Sequence, residues 1–272
     1  MIVGYTRATL DPDYEYNTFC NSVKAKTGID LASYKRRQME RRIRSMAERK
    51  QKTDLLSFWK SLESDPAALD EFLDRVTINV SEFFRNPEKF IELRDWLLPK
   101  LLKERDTISI WSAGCSIGAE PYTMAMLLEE ISPRKAHRIL ATDVDVRVLA
   151  KAREGRYGPG ELKSVPPDIL NKYFIKAGQD YLVSDAPKRR VSFQQHDLLK
   201  SSFPKEQDLI LCRNVIIYFN DEAKHHLFER FAHALRPGGY LLLGNTERIL
   251  NPQQYGLVQE RPFFYRRSEV HR

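Results

Sequence analysis

The 272-residue sequence predicts an α/β protein: a Rossmann-like, mainly parallel sheet with covering helices, preceded by an all-helical N-terminal region. Three features predict it. Apolar residues in the first hundred positions recur at helical spacing. From residue 106, short apolar runs alternate with helical stretches, as in a parallel sheet. Finally, Ile108-Ser-Ile-Trp-Ser-Ala-Gly-Cys-Ser-Ile-Gly-Ala-Glu-Pro-Tyr122 reads as a buried strand, a tight glycine turn and a helix start. That is how a doubly wound sheet presents a nucleotide-like ligand at the carboxyl ends of its strands.

The elements follow in order. Residues 15–27 place Tyr16, Phe19 and Val23 on one helical face, and Gly28 ends the helix. Residues 34–50 form a basic helix with an apolar stripe of Met39, Ile43 and Met46. Thr53-Asp54 and Asp65-Pro66 read as the starts of two further helices. Asn86-Pro87 opens a helix that runs towards Leu102, with Asn86 as its expected cap. The first strand covers residues 107–111, a helix 119–131, and the second strand 137–141, ending in Thr142-Asp143. A helix at 145–153 precedes a third strand at 191–194. The fourth strand is the apolar run 208–212, and a helix at 221–235 leads through Pro237-Gly238-Gly239 into the fifth at 240–243. Residues 255–265 read as a strand pair joined at Arg261-Pro262. The stretch from about 155 to 190 is rich in glycine and proline and too long for an ordinary connection. It is expected to form a small β insertion subdomain, with a helix at 169–174 and a strand at 181–183. The resulting domain plan is a helical domain and linker over 1–86 and a ligand-binding domain over 87–272.

Composition narrows the class. Charged residues make up 30% and hydrophobic residues 42%, as in a soluble globular chain. No apolar run approaches the roughly 20 residues that span a bilayer, and no signal core opens the chain, so a cytoplasmic protein without direct membrane insertion is expected. Three widely spaced cysteines, Cys20, Cys115 and Cys212, argue against a disulfide framework. No Cys/His cluster has metal-site spacing, so no metal is expected. The net charge of +7 is partly local: residues 34–50 hold eight basic side chains against Glu40 and Glu48, a field suited to an anionic partner.

The glycine turn decides the ligand class. It is Gly114-x-x-x-Gly118 followed by Glu120, without the phosphate cradle of dinucleotide binders, and so favours a cofactor lacking a pyrophosphate, such as S-adenosylmethionine. Gly114 permits positive φ and close backbone approach. Asp143 ends the second strand, where an acid can accept hydrogen bonds from ribose hydroxyls; its alternative use as a helix cap can be filled by Asp145. Glu120 is also an ordinary first-turn acid. His196-Asp197 ends the third strand, where an acid can bracket an adenine amino group. Arg213-Asn214 emerges directly from the apolar fourth strand, an arrangement that is costly unless the polar groups are paired. Tyr218 follows on another apolar stretch. Asn79, Ser81 and Arg85 form a second polar cluster among bulky apolar residues.

Asn79-Val-Ser-Glu-Phe-Phe-Arg85, Ser112-Ala-Gly-Cys-Ser-Ile-Gly-Ala-Glu-Pro-Tyr122, Ala141-Thr-Asp143 and Cys212-Arg-Asn-Val-Ile-Ile-Tyr-Phe219 together resemble the chemotaxis receptor protein-glutamate methyltransferases, the CheR family. The resemblance covers nearly the whole chain. It implies a class I S-adenosylmethionine-dependent methyltransferase domain that converts receptor glutamates to methyl esters, with S-adenosylhomocysteine as product. It further implies donor contacts from Asn79, Ser81, Arg85, Gly114, Glu120, Asp143, Asp197, Leu198, Arg213 and Asn214. Arg85 and Tyr218 would be the catalytic pair that grips and orients the acceptor carboxylate. Many relatives carry Thr at the position of Ser81, and some carry Asn at that of Asp197. The implied partner is the cytoplasmic methylation region of chemotaxis receptors, docked on Arg36, Arg37, Arg41, Arg42 and Arg44; in some relatives the insertion subdomain pairs with a receptor tail. Nothing in the sequence demands more than a monomer, and no nucleic-acid partner is expected. Two other readings compete. A nucleic-acid methyltransferase fits the pI of about 9.2, but not Arg213-Asn214-Val215-Ile216, where base-amino enzymes carry an Asn/Asp-Pro-Pro-aromatic motif. A non-enzymatic, donor-binding adaptor fits the donor motifs but not the retention of Arg85 and Tyr218.

Overall fold

The structure, a computed structural model, describes residues 12–77 and 81–269. They fall into two compact units. The first comprises the described residues to 77 together with Tyr218–Asp221, and the second comprises the rest.

The first unit is helical: α1 Pro12–Thr27, α2 Arg36–Arg49, α3 Leu55–Glu63 and α4 Pro66–Thr77. Its boundaries follow local chemistry. Gly28, at φ +77°, closes α1 through its N–H to the Lys24 carbonyl. The Asp54 carboxylate caps α3 by accepting the Ser57 N–H at 2.7 Å, and Asp65 accepts the Ala67 and Ala68 N–H groups at the start of α4. The expected apolar faces are buried: Tyr16, Phe19 and Val23 on α1, and Met39, Ile43 and Met46 on α2. Phe19 stacks on Phe58 at 5.9 Å and meets Trp59 and Phe72 edge-on. Buried Glu15 accepts the Leu55 N–H and pairs with Arg44 at 3.0 Å, so a desolvated acid joins three helices with both oxygens satisfied.

The second unit opens with α5 Pro87–Glu92, which continues through a π turn into α6 Leu98–Glu104. There follow β1 Ser109–Ala113, α7 Ala119–Ile131, β2 Arg138–Asp143 and α8 Val146–Glu154. The insertion holds β3 Arg156–Tyr157, α9 Pro167–Tyr173, β4 Phe174–Ala177 and β5 Asp180–Val183. After it come α10 Asp185–Arg190, β6 Val191–Gln195, β7 Gln207–Cys212, α11 Asp221–Ala234, β8 Leu235–Leu243, β9 Leu257–Arg261 and β10 Phe264–Arg267.

Seven strands form the central sheet in the order β6-β2-β1-β7-β8-β10-β9. The first five are parallel, and β10 runs antiparallel to both of its neighbours, β8 and β9, so that β9 points the same way as the first five. Counted in chain order within this sheet, the arrangement is 3-2-1-4-5-7-6. The chain therefore reverses direction across the sheet between β1 and β7. That is the switch point where open α/β sheets bind ligands, beyond the strands' carboxyl ends. β7 is buried along its whole length, which explains the apolar run Leu209 to Cys212 that makes up most of it. The one acid in it, Asp208, is paired with Arg236 at 2.6 Å and accepts the Ser109 N–H, so it joins the starts of β1 and β7.

The insertion differs from expectation. It contains three strands in a sheet of order β3-β5-β4, where the sequence shows only the one at 181–183. β3 has two residues, and β4 has four with Ile175 exposed beside Lys176, so neither carries an alternating apolar pattern. Residues 185–190 add a short helix that the sequence does not signal.

Candidate functional site

The glycine turn after β1 is clasped to the end of β2. The N–H groups of Gly114 and Cys115 both donate to the Thr142 carbonyl, at 2.8 and 2.9 Å, and the Ser116 N–H donates to the Asp143 carboxylate at 2.8 Å. Gly114 lies at φ +81°, and a Cβ there would come within 2.5 Å of the Val215 side chain. The loops leaving β1 and β7 thus meet across the switch point with no room for another atom. Gly118, at φ +87°, is the N-cap of α7.

Two acids flank this turn. Asp143 accepts from Ser116 on one oxygen and from the Asp145 N–H, at 3.0 Å, on the other. Burial pushes its carboxyl above the ordinary range despite these bonds. Asp145, not Asp143, caps α8, accepting the Arg147 N–H at 2.9 Å. Each Asp143 oxygen keeps a second lone pair. Glu120, in the first turn of α7, accepts the Ser112 hydroxyl at 2.7 Å and pairs with Arg213 at 3.3 Å.

Arg213 is only 2% exposed and committed to protein groups. Besides Glu120, it donates to the Arg85 carbonyl at 2.6 Å and to Asn86 Oδ1 at 3.0 Å, and its guanidinium lies over the Phe90 ring. Among the described residues its Nε has no partner. Asn86 is a correction to the expected cap. It sits at the N-cap position in the left-handed region, at φ +60°, and its side chain makes no cap bond because it serves Arg213.

The segment before α5 is anchored in the second unit. Phe83 and Phe84 enter its core; Phe83 packs edge-on against Tyr157 and Phe174. The Phe83 N–H reaches the Glu161 carbonyl and the Phe84 N–H the Thr123 hydroxyl. Anchored in this way, Ser81 and Arg85 are held half-buried on either side of the phenylalanines. Asn79 lies outside the described residues.

At the end of β6, the His196 N–H donates to the Asp143 carbonyl and extends the β2–β6 ladder. Asp197 then turns the chain by accepting the Leu199 N–H at 2.9 Å, and it faces Lys200 at 3.6 Å. Leu198 is buried, and its carbonyl is held by Arg230 at 2.6 Å. Tyr218 groups with the helical unit, where its carbonyl accepts the Lys35 N–H at 2.8 Å.

Of the five arginines expected to dock a partner, three have structural duties within the helical unit. Arg44 pairs with Glu15 and Glu40, Arg42 donates to the Val76 carbonyl, and Arg36 pairs with Asp13 and lies over the Tyr16 ring. Arg37 and Arg41 are exposed. Sequence spacing cannot make this division, because the partners of Arg44 and Arg42 lie 29 and 34 positions away.

One residue of the site carries no sequence signal. Glu247, four positions after β8, is 4% exposed and accepts the N–H groups of Asn214, Gly244 and Ile217 at 2.8, 2.7 and 3.1 Å. An isolated acid in a polar loop looks like surface until the tertiary structure buries it.

The donor set fits S-adenosylmethionine. The turn at Gly114 is packed too tightly on Val215 for any side chain, and the polar side chains beside it are acids, Glu120 and Asp143. Carboxylates complement an ammonium group and ribose hydroxyls and would repel a pyrophosphate.

Comparison with known proteins agrees with this geometry. Residues 79–264 match the family described as "CheR methyltransferase, SAM binding domain", and residues 14–77 match "CheR methyltransferase, all-alpha domain". A "Chemotaxis protein methyltransferase" of Listeria monocytogenes is 41% identical over 257 residues, covering 94% of this chain and 97% of its own. One of Listeria innocua is 40% identical over the same shares, and one of Borreliella burgdorferi is 35% identical over 82% of this chain and 83% of its own. With both domains matched and relatives aligned nearly end to end, the chain belongs to the CheR methyltransferase family.

Proposed function

We propose that the chain transfers a methyl group from S-adenosylmethionine to glutamate side chains in the cytoplasmic methylation region of chemotaxis receptors, leaving glutamyl methyl esters and S-adenosylhomocysteine. The observation that carries this reading is the clasp between the Gly114 turn and Asp143 at the switch point, with Glu120 fixed beside it by Ser112 and Arg213. Family membership supports the chemistry and the chemotaxis setting.

When bound, S-adenosylmethionine supplies an electrophilic methyl on a sulfonium. Glu120 holds the donor's amino-acid end, Asp143 the ribose hydroxyls, and Asp197 with Leu198 flanks the adenine; Ser81 closes the site from the segment before α5. Arg213 acts through Glu120 and Arg85 rather than on the ligand. The acceptor glutamate, with an unperturbed pKa of about 4.3, is already an anion at neutral pH, so no general base is needed. The work left to the protein is orientation and the exclusion of water. Arg85 grips the carboxylate, in two-point fashion as guanidinium and carboxylate geometry allow, and Tyr218 orients it. Arg37 and Arg41 present exposed positive charge to the glutamate-rich receptor helices. Among the described residues no helix is long and apolar enough to cross a membrane, which suits a partner reached from solution.

The test is transfer of labelled methyl from S-adenosylmethionine to a purified receptor cytoplasmic domain, with a transfer-RNA control. Base-labile label on the receptor, lost when the acceptor glutamates become alanine, is the expected result. Base-stable label on RNA alone would overturn the reading.

A further inference from the structure

The turn that leaves β7 has an unusual shape for its sequence. Asn214 sits in the left-handed region at φ +60°, and the next residue, Val215, covers Gly114. Asn tolerates this region better than most residues, yet the conformation is uncommon and needs support. The N–H groups of Asn214 and Ile217 lie beyond the strand and have no ladder partner there. Both bond to one carboxylate, Glu247: Asn214 to Oε2 at 2.8 Å and Ile217 to Oε1 at 3.1 Å. The Gly244 N–H, at the exit of β8, shares Oε2 at 2.7 Å. The knot is tight from the other side too. A Cβ on Gly244 would lie 2.7 Å from Glu247 Oε2 and 2.8 Å from the Asn214 nitrogen.

We infer that Glu247 is a positioning residue for the methyl-donor site: its carboxylate ties the exits of β7 and β8 together and holds Asn214 and Val215 in place against the glycine turn after β1. The inference rests on the donor-site reading above. A carboxylate suits the task because both of its oxygens only accept. Glutamine has the same length, but its amide nitrogen would face the Ile217 N–H donor to donor. The two bonds to Oε2 survive that change and the third is lost. Val215 then loses its support, and the wall of the cradle facing Gly114 moves.

The experiment measures S-adenosylhomocysteine binding by calorimetry on the full chain, together with amide hydrogen exchange of the ligand-free protein. Glu247→Gln is expected to weaken binding about tenfold and to speed exchange at Asn214, Val215 and Ile217, while turnover at saturating donor stays within about threefold. The control is Leu128→Ala, which cuts a buried side chain of α7 and lowers stability without touching this turn; it should leave the dissociation constant unchanged. If Glu247→Gln does not fold, Gly244→Ala disturbs the same knot with the carboxylate retained and should weaken binding likewise. Wild-type affinity in Glu247→Gln, or an equal loss in Leu128→Ala at matched melting temperature, would overturn the inference. A wild-type chain that fails to bind the product would instead overturn the donor-site reading itself.

Discussion

The Arg213 guanidinium lies 3.3 Å from the Glu120 carboxylate and so links the end of β7 to the first turn of α7 across the switch point. Arg213 is 2% exposed and its other terminal nitrogen holds the Arg85 carbonyl, so one buried cation fixes both an acid of the proposed donor site and the backbone of the proposed acceptor-binding arginine. Glu120→Gln removes the counter-charge of this buried cation. Removing one member of a buried pair costs about 3 kcal/mol or more. Urea unfolding should show a loss of that order, and calorimetry a weaker affinity for S-adenosylhomocysteine. An unchanged unfolding midpoint would mean that the pair adds nothing to the fold.

Gly114→Ala meets two obstacles, one of conformation and one of space. The left-handed φ costs a residue with a Cβ about 1–2 kcal/mol, and the new Cβ would strike Val215 at 2.5 Å. Adding Val215→Ala relieves only the second. Thermal unfolding should therefore find the double variant more stable than Gly114→Ala but less stable than wild type. Full recovery would show that φ at this turn is unconstrained.

Asp143→Asn places an amide nitrogen against one of two backbone N–H donors, Ser116 or Asp145, and removes the charge proposed to accept ribose hydroxyls. Hydrogen bonds to charged groups contribute about 1.5–3 kcal/mol, so the donor's KM should rise about tenfold or more. Rates at saturating donor should stay near wild type. A fall in kcat with KM unchanged would place Asp143 at the reacting atoms instead.

On the basic helix, the proposed docking charges and the folding charges are different residues. Arg37→Glu with Arg41→Glu reverses two exposed charges and should raise the KM for receptor and remove much of its salt dependence, with little change in melting temperature. Arg44→Ala leaves Glu15 buried without its cation and should lower stability by about 1–3 kcal/mol. Initial rates at two ionic strengths, alongside melting curves, check both. The reverse pattern would refute the assignment.

Burial pushes the His137 and His196 imidazoles below their ordinary value near 6.5. Between that lowered value and about 6.5 the unfolded chain binds more protons than the folded one, so folding stability rises with pH across the window and is lost on acidification. Arg230 adds to the effect at His196, and Asp197 opposes it. His196→Gln removes one of the two groups and should flatten the fall in melting temperature between about pH 6.5 and 5. Identical slopes would show that His196 binds protons alike in the folded and unfolded chain, against the lowering by burial.

Much of the site was legible in the chain because its signals are local. The glycine turn, the acid ending β2 and the polar pair leaving β7 all stand at strand ends, and strand ends are marked by where an apolar run stops. The helix caps at Asp54, Asp65 and Asp145 are likewise set by bonds two or three residues away. The misses are long-range. Asn86 reads as a cap, but its side chain is taken by Arg213, 127 positions away. β4 shows no apolar alternation because it is only four residues long and carries Ile175 on its exposed side.

By itself, then, the sequence determined the class of sheet, the place of the switch point and the acidic character of its rim. Periodicity and turn chemistry act within a few residues, and the motifs specify the family. Only the tertiary structure decided which charges are free to act. Arg44 and Arg213 became struts, Arg37 and Arg41 remained exposed, and Glu247 was drawn from an unremarkable loop into the buried knot between the exits of β7 and β8. The physical reason is that a charge's role depends on its burial and partners. Those are set by segments 29 positions away or more for Arg44 and Glu15, 93 for Arg213 and Glu120, and 33 for Glu247 and Asn214.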